Sequence, residues 1–240
     1  MKSLGIIGFG SFGQFIAKHL HPFFTITVFN RSDKSEDAKR LNVAYGSLEE
    51  VASKDIVIYC VPVQFLEDTL RKTASFLQPR AVAVDVSSVK VKPLKLMKEI
   101  LPSSVEIIGT HPLFGPQSGK RGIEGLRCMV CSDDSDHKRC VIDFLATNLK
   151  LTVLERSAEK HDQQMAYVQA LTHFIGRAVD NMNIPDTDQK TNAYQYLLDI
   201  KTTLGQDSWE LFKTIEQENP FAKQVRIDFL NELTSLDEQL

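Results

Sequence analysis

From Leu4 to about Glu155 the chain alternates short β-branched runs with longer segments whose apolar residues recur at helical spacing. The runs Leu4–Gly8, Thr25–Asn30, Ile56–Val61, Ala81–Asp85, Val105–Gly109, Arg127–Cys131 and Leu151–Leu154 predict strands. The intervening segments Ser11–Leu20, Glu36–Leu41, Leu48–Ala52, Gln64–Phe76, Lys90–Ile100 and Asp136–Leu149 predict helices. Strands that alternate with helix-length crossovers imply a parallel sheet covered by helices on both faces, an α/β fold. Ser47, followed by Glu50, reads as a capping box that starts one of these helices.

After Ser157 the pattern changes. No strand run follows, and segments rich in Gln, Leu, Ala and Lys predict helices over Ala158–Met182, Asp188–Leu204, Ser208–Glu218 and Ala222–Leu236. Pro185 and Pro220 separate some of them, because proline cannot continue a helix. The expected division is an α/β domain over 1–156 and a smaller all-helical domain over 157–240. A piece that small is marginal on its own, so it is expected to pack on the first domain or on a second copy of itself.

Composition narrows the class without naming it. With 42% hydrophobic and 25% charged residues the chain is globular, and disordered or fibrous classes are excluded. A formal net charge of −3 argues against a nucleic-acid or membrane-surface protein and means that an acidic ligand must be met by locally placed cations. No apolar run approaches the roughly 18 residues of a membrane span. The stretch Leu4 to Phe9 after Lys2 is interrupted by glycines and lacks the cleavage site of a signal peptide. A cytoplasmic location is expected, with Cys60, Cys128, Cys131 and Cys140 as free thiols. Cys128 and Cys131 have zinc-like spacing, but three positions apart on a strand they point to opposite faces, so no metal site is expected.

Gly8-Phe9-Gly10-Ser11-Phe12-Gly13 follows a predicted strand and opens a predicted helix. That context is what a dinucleotide fingerprint requires. The first glycine makes the tight turn and the second admits the pyrophosphate to the backbone. The third lets helix and strand pack closely while the helix N-terminus faces the phosphate charge. Val61 and Pro62, at the end of the third predicted strand, join this set. Cofactor choice is read at the end of the second strand, where an acidic side chain would bind a ribose 2′-hydroxyl. Here the chain reads Asn30-Arg31-Ser32, which offers a guanidinium and a hydroxyl to a 2′-phosphate. The expected cofactor is NADP, with NAD left possible; Asp33 becomes a ribose ligand if the strand runs further.

Thr110-His111-Pro112-Leu113-Phe114-Gly115-Pro116-Gln117-Ser118-Gly119 begins just past the Val105–Gly109 strand, at the edge where open α/β sheets bind ligands. Asp85-Val86-Ser87-Ser88-Val89-Lys90 ends the preceding predicted strand and brings hydroxyls to the same edge. In the helical part Gln169, His173 and Arg177 form a polar stripe on an otherwise apolar helix. Such a stripe is either a solvated face or one wall of a cleft.

Taken in this order and spacing, GFGSFG, DVSSVK, THPLFGPQSG and HDQQMAYVQALTHFIGR resemble the prephenate/arogenate dehydrogenase family of tyrosine biosynthesis, over Leu4 to about Arg177. The forms FGPQS and THFIGR resemble the plant arogenate branch. The resemblance implies a Rossmann domain plus a helical domain that binds substrate and forms a homodimer. It implies oxidative decarboxylation of arogenate or prephenate with hydride transfer to NADP. Through it His111 is the acceptor for the substrate hydroxyl proton, a role a neutral imidazole suits. Ser88 orients that histidine, and His173 and Gln169 lie near the substrate. Lys213 and Asn219 fall where some family members carry a carboxylate ligand, with Arg177 and Lys90 as competitors. The length leaves room for a stand-alone catalytic unit. Two other readings stay open: another two-domain NADP oxidoreductase, such as a 3-hydroxyacid dehydrogenase, and a non-catalytic NADP-sensing module.

Overall fold

The structure is a computed structural model and describes residues 2–204 and 208–240. Its chain divides into two compact units, up to Ala158 and from Glu159. The first is built on an eight-stranded sheet of order β3-β2-β1-β4-β5-β6-β7-β8. The strands are β1 Ser3–Ile7, β2 Thr25–Phe29, β3 Ala44–Tyr45, β4 Ile56–Tyr59, β5 Val82–Asp85, β6 Glu106–Pro112, β7 Arg127–Cys131 and β8 Thr152–Glu155. Alternation along each strand sends side chains to opposite faces. Leu4, Ile6, Val28, Ile58 and Val84 join one apolar layer, and Ile7, Val57, Tyr59 and Ala83 join the other.

Helices cover both faces. Helix α1 Ser11–Leu20 buries Ala17 and Leu20 in the first layer. The short α2 Ser35–Arg40 adds Ala38 to that layer. Helix α3 Leu48–Ala52 starts at Ser47 with the expected capping box: the Ser47 side chain accepts from the Glu50 N–H and the Glu50 carboxylate accepts from the Ser47 N–H. Helices α4 Val63–Thr73 and α5 Val91–Ile100 supply Leu66, Leu70 and Met97 to the second layer. Helix α6 Asp136–Thr147, capped by Ser135, packs Val141 and Phe144 on the first.

Two features depart from the expected pattern. The sheet is not wholly parallel: β7 runs antiparallel to β6, with His111 opposite Met129. That pairing carries β6 on to Pro112, so His111 lies inside a strand and not just beyond it. The tiny β3, too short to give an alternation signal, extends the sheet beside β2. Strand order reverses between β1 and β4, and open α/β sheets bind ligands at the carboxyl ends that flank such a reversal.

The second unit is helical: α7 Ala158–Met165, a π-helical stretch over Ala166–Leu171, α8 Thr172–Asn181, α9 Asn192–Leu204, α10 Trp209–Glu218 and α11 Ala222–Asp237. The single helix expected over Ala158–Met182 is therefore interrupted by the π turn, a distortion that recurs at functional sites. Ala170, Ile215 and Ala222 form a small core with Leu211. Gly176 lets α8 and α9 approach, since a Cβ there would stand 2.8 Å from Leu204 Cδ1.

Candidate active site

The glycine turn sits at the carboxyl end of β1. Gly8 has φ +99° and a Cβ there would press on the Cys60 carbonyl, so only glycine fits. A Cβ on Gly13 would run into the Gly8 carbonyl oxygen, which fixes the close contact between α1 and β1. Gly10 differs: a Cβ there meets nothing within 4 Å. Its missing side chain therefore keeps the outer surface of the turn open and not its packing. Gly10 is also the N-cap of α1 and supplies no side chain to the first N–H groups, which suits an anion at that end. Ser11 and Phe12 form the first helical turn, and Phe9 is fully buried. Val61 lies against Gly8, and Pro62 caps α4. These residues fit a dinucleotide pyrophosphate.

The end of β2 is wired to this turn. The Asn30 Oδ1 accepts the Phe9 N–H at 2.9 Å, and Asn30 Nδ2 donates to the Ser32 carbonyl and hydroxyl at 3.0 and 2.9 Å. Asn30 is thus a clasp between two loops, with both ends of its amide engaged. Strand β2 stops at Phe29, and Asp33 accepts the Ser35 N–H at the start of α2, which holds its carboxyl below its ordinary pKa. The ribose-ligand alternative for Asp33 required a longer strand. The Arg31 guanidinium lies 5.4 Å from the Phe65 ring centroid, a cation–π contact that sequence spacing did not reveal. Gln14 also escaped sequence reasoning; its Nε2 donates to the Phe9 carbonyl.

At the ends of β5 and β6 the Asp85-Val86-Ser87-Ser88-Val89-Lys90 turn is locked against the strand that carries His111. Lys90 is 0% exposed and forms an ion pair with Asp85, itself 1% exposed. Lys90 Nζ also donates to the Thr110 carbonyl at 2.7 Å, and Thr110 Oγ1 donates to the Asp85 carbonyl at 2.9 Å. Ser87 closes the turn, its N–H on Asp85 Oδ1 and its hydroxyl on the Val89 carbonyl. Lys90 is therefore consumed by the fold, and the expectation that it competes for a substrate carboxylate is corrected. Asp85 stands opposite Gly109 in the parallel pair, so Ser88 and His111 both follow that pair toward the same sheet edge. His111 is buried and Ser88 half-buried.

The loop after β6 docks on α1. Phe114 packs edge-on against Phe15, and a Cβ on Gly119 would stand 2.5 Å from the Phe15 ring. Cys128 and Cys131 are buried in different apolar clusters, on opposite faces, and burial pushes the Cys128 thiol up to about 12.

Within the helical unit His161 and Asp162 are fully buried, with Nδ1 to Oδ1 at 2.7 Å. Asn219 donates from Nδ2 to the Asp162 carbonyl at 2.8 Å and its Oδ1 accepts the Phe221 N–H. Its amide ties α7 to the start of α11, a structural use that the substrate-ligand expectation did not foresee. Lys213 is exposed on α10. His173 is buried on α8, and the buried Gln169 Oε1, in the π turn, has no partner among the described residues. The Arg177 guanidinium lies over Trp209 and Phe212, at 5.2 and 5.8 Å from their centroids. Glu216 and Arg226 form a close ion pair, and burial raises the Glu216 carboxyl above its ordinary pKa.

Comparison with known proteins bears on this arrangement. Residues 12–127 match the family model described as prephenate dehydrogenase, nucleotide-binding domain, and residues 178–240 the model described as TYRAAT1-like, C-terminal domain. Over 99% of its length the chain is 32% identical to Arabidopsis thaliana arogenate dehydrogenase 1, chloroplastic, and over 91% it is 33% identical to arogenate dehydrogenase 2, chloroplastic, of the same plant. It spans 39% of the first relative and 64% of the second. The crystal structure of A. aeolicus prephenate dehydrogenase in complex with hydroxyphenyl propionate and NAD+ superposes with a TM-score of 0.78 at 21% identity, covering 99% of this chain and 90% of that one. With its glycine turn and its locked His111 strand, the chain is similar to the prephenate/arogenate dehydrogenases, and its residues 12–127 match their nucleotide-binding domain.

Proposed function

We propose that the chain catalyses oxidative decarboxylation of arogenate or prephenate, with His111 as the acceptor of the substrate hydroxyl proton. The observation that carries the reading is the Lys90, Asp85 and Thr110 lock, which fixes the strand bearing His111 at the sheet edge shared with Ser88. The fold spends a buried ion pair on holding that edge rigid, as a site that must align a proton acceptor with a reacting carbon requires.

Gly8, Phe9, Gly10, Ser11, Phe12, Gly13, Val61 and Pro62 would hold the dinucleotide, which supplies a hydride acceptor when bound. Arg31 and Ser32 would meet a 2′-phosphate, so NADP is preferred over NAD. His111 takes the proton of the ring hydroxyl as hydride leaves the same carbon, forming a carbonyl. Loss of the ring carboxylate as carbon dioxide returns its electron pair to the ring. The resulting phenolate oxygen takes the proton back from His111, and aromatisation drives the sequence. The net change is loss of one hydride and one carbon dioxide, with no proton released. Ser88 orients His111 and the hydroxyl. In the helical unit Gln169 and His173 are the substrate-facing residues, and Lys213 remains an exposed candidate for a carboxylate.

Between the two substrates, the similarity to the Arabidopsis arogenate dehydrogenases supports arogenate. Exposed Ile227, Leu230, Leu233 and Leu236, spaced along α11, support a homodimer through the helical unit. The free cysteines support a reducing compartment such as the cytoplasm. Among the described residues no helix is long and apolar enough to cross a membrane. The deciding experiment is initial rates of nicotinamide reduction with arogenate and prephenate, each crossed with NADP and NAD. Arogenate with NADP is expected to give the highest kcat/KM. Reduction with neither substrate would overturn the proposed activity, and a strong preference for NAD would overturn the role of Arg31 and Ser32.

A further inference from the structure

The first unit contains a cavity of about 340 Å³ on the sheet face covered by α1 and α6. Its floor is Ile58, Val82 and Val84, and its walls include Phe15, Val141 and Phe144. Phe144 is itself held edge-on by Phe23 and Phe24, with ring centroids 5.3 and 5.2 Å apart. This volume falls in the range of small-molecule sites, and an apolar lining of Leu, Ile, Val and Phe is the kind that takes up apolar guests.

The cavity is separate from the chemistry described above. Thr110 and Pro112 border it, so the intervening His111 side chain points to the opposite face of β6. None of Gly8, Gly10 or Asn30 lines it.

One end is polar. Lys2 precedes β1, His19 lies in the last turn of α1 and His137 in the first turn of α6, and all three border the cavity. Helix α1 runs back from the carboxyl end of β1, and His137 lies 3.9 Å from Glu106 at the start of β6. The three groups therefore share the amino-terminal edge of the sheet, away from the glycine turn. Asp55, near Lys2, is engaged by the Ser3 N–H and hydroxyl. Burial and the neighbouring Lys18 hold His19 below its ordinary pKa, which leaves it a neutral hydrogen-bonding ring at pH 7.

We propose that this cavity is a binding site for a long-chain aliphatic carboxylate, with the hydrocarbon between α1, α6 and the sheet and the carboxylate at Lys2, His19 and His137. An apolar body matches the lining and gains by leaving water, and the Lys2 ammonium at the polar end selects an anionic head.

The test is calorimetric titration of the full chain with dodecanoate and with dodecanol, below their aggregation limits. Dodecanoate is expected to bind saturably at one site per chain. Val141→Phe, which fills the cavity, should weaken both ligands at least about tenfold. Lys2→Glu changes an exposed residue and cannot unfold the core; it should weaken dodecanoate about tenfold and leave dodecanol unchanged. Absence of saturable dodecanoate binding would overturn the proposal. So would wild-type affinity in Lys2→Glu, or equal loss of both ligands in that variant. If Val141→Phe fails to fold, the Lys2→Glu comparison decides alone.

Discussion

Replacing Lys90 with Met keeps an unbranched side chain of similar length in the same buried space but removes the ammonium. Asp85 is then left 1% exposed with the Ser87 N–H as a remaining partner, and the Thr110 carbonyl loses its 2.7 Å donor. Removing one member of a buried ion pair costs about 3–5 kcal/mol, because the surviving charge stays desolvated. At roughly 2–4 °C per kcal/mol for a chain of this size, the thermal midpoint should fall by about 6–20 °C. Circular dichroism during heating and in urea measures the loss. The companion variant is Lys90→Met with Asp85→Asn, which keeps an acceptor for the Ser87 N–H but removes the stranded charge. It should recover more than half of the lost stability, since coupled residues are not additive. A single variant that loses under about 1 kcal/mol would show that the pair is not desolvated as described. A double variant as unstable as the sum of its parts would show that stranded charge is not the cause.

Other substitutions separate folding from function. Gly13→Ala should lower stability by about 1–3 kcal/mol, since its methyl group meets the Gly8 carbonyl. Gly10→Ala should leave the urea midpoint unchanged but weaken dinucleotide binding in a fluorescence titration, because its methyl group enters only the open side of the turn. Arg31→Ala is expected to weaken NADP about tenfold and NAD little, read as the ratio of dissociation constants. His111→Asn should bind the dinucleotide normally and lose at least about a hundredfold in kcat in steady-state assays. Asp55 accepts the Ser3 N–H and hydroxyl, which hold its carboxyl below its ordinary pKa. A depressed carboxylate stabilises the fold above its unfolded pKa, and that contribution disappears as pH falls through the folded value. Urea midpoints of Asp55→Asn and the parent should therefore differ at pH 7 and converge on acidification.

The strands and helices of the first unit were legible because buried parallel strands and their crossover helices leave strong local signals. The glycine turn was legible for the same reason: each glycine answers a local demand, and Gly8 and Gly13 answer steric ones. Other features carried no local signal. The antiparallel β7 pairs with β6 through contacts that no spacing announces, and that pairing drew His111 into the strand. The π turn over Ala166–Leu171 keeps an ordinary helical pattern of apolar residues on either side. Asn219 entered the substrate set through the family resemblance, which says nothing of its bonds to the Asp162 carbonyl and the Phe221 N–H.

Sequence by itself determined the fold class and the family resemblance, since both reside in local periodicity and in short strings whose spacing is set by backbone geometry. Tertiary structure decided what each polar side chain does. Lys90 was a candidate cation in the sequence and became a buried tie, because Asp85 and the Thr110 carbonyl converge on it from the ends of two strands. Asn30 read as the cofactor-selecting position and became a clasp between two loops. Whether a polar group faces a ligand or a neighbour depends on desolvation and on distant partners, and neither is written in the residues beside it.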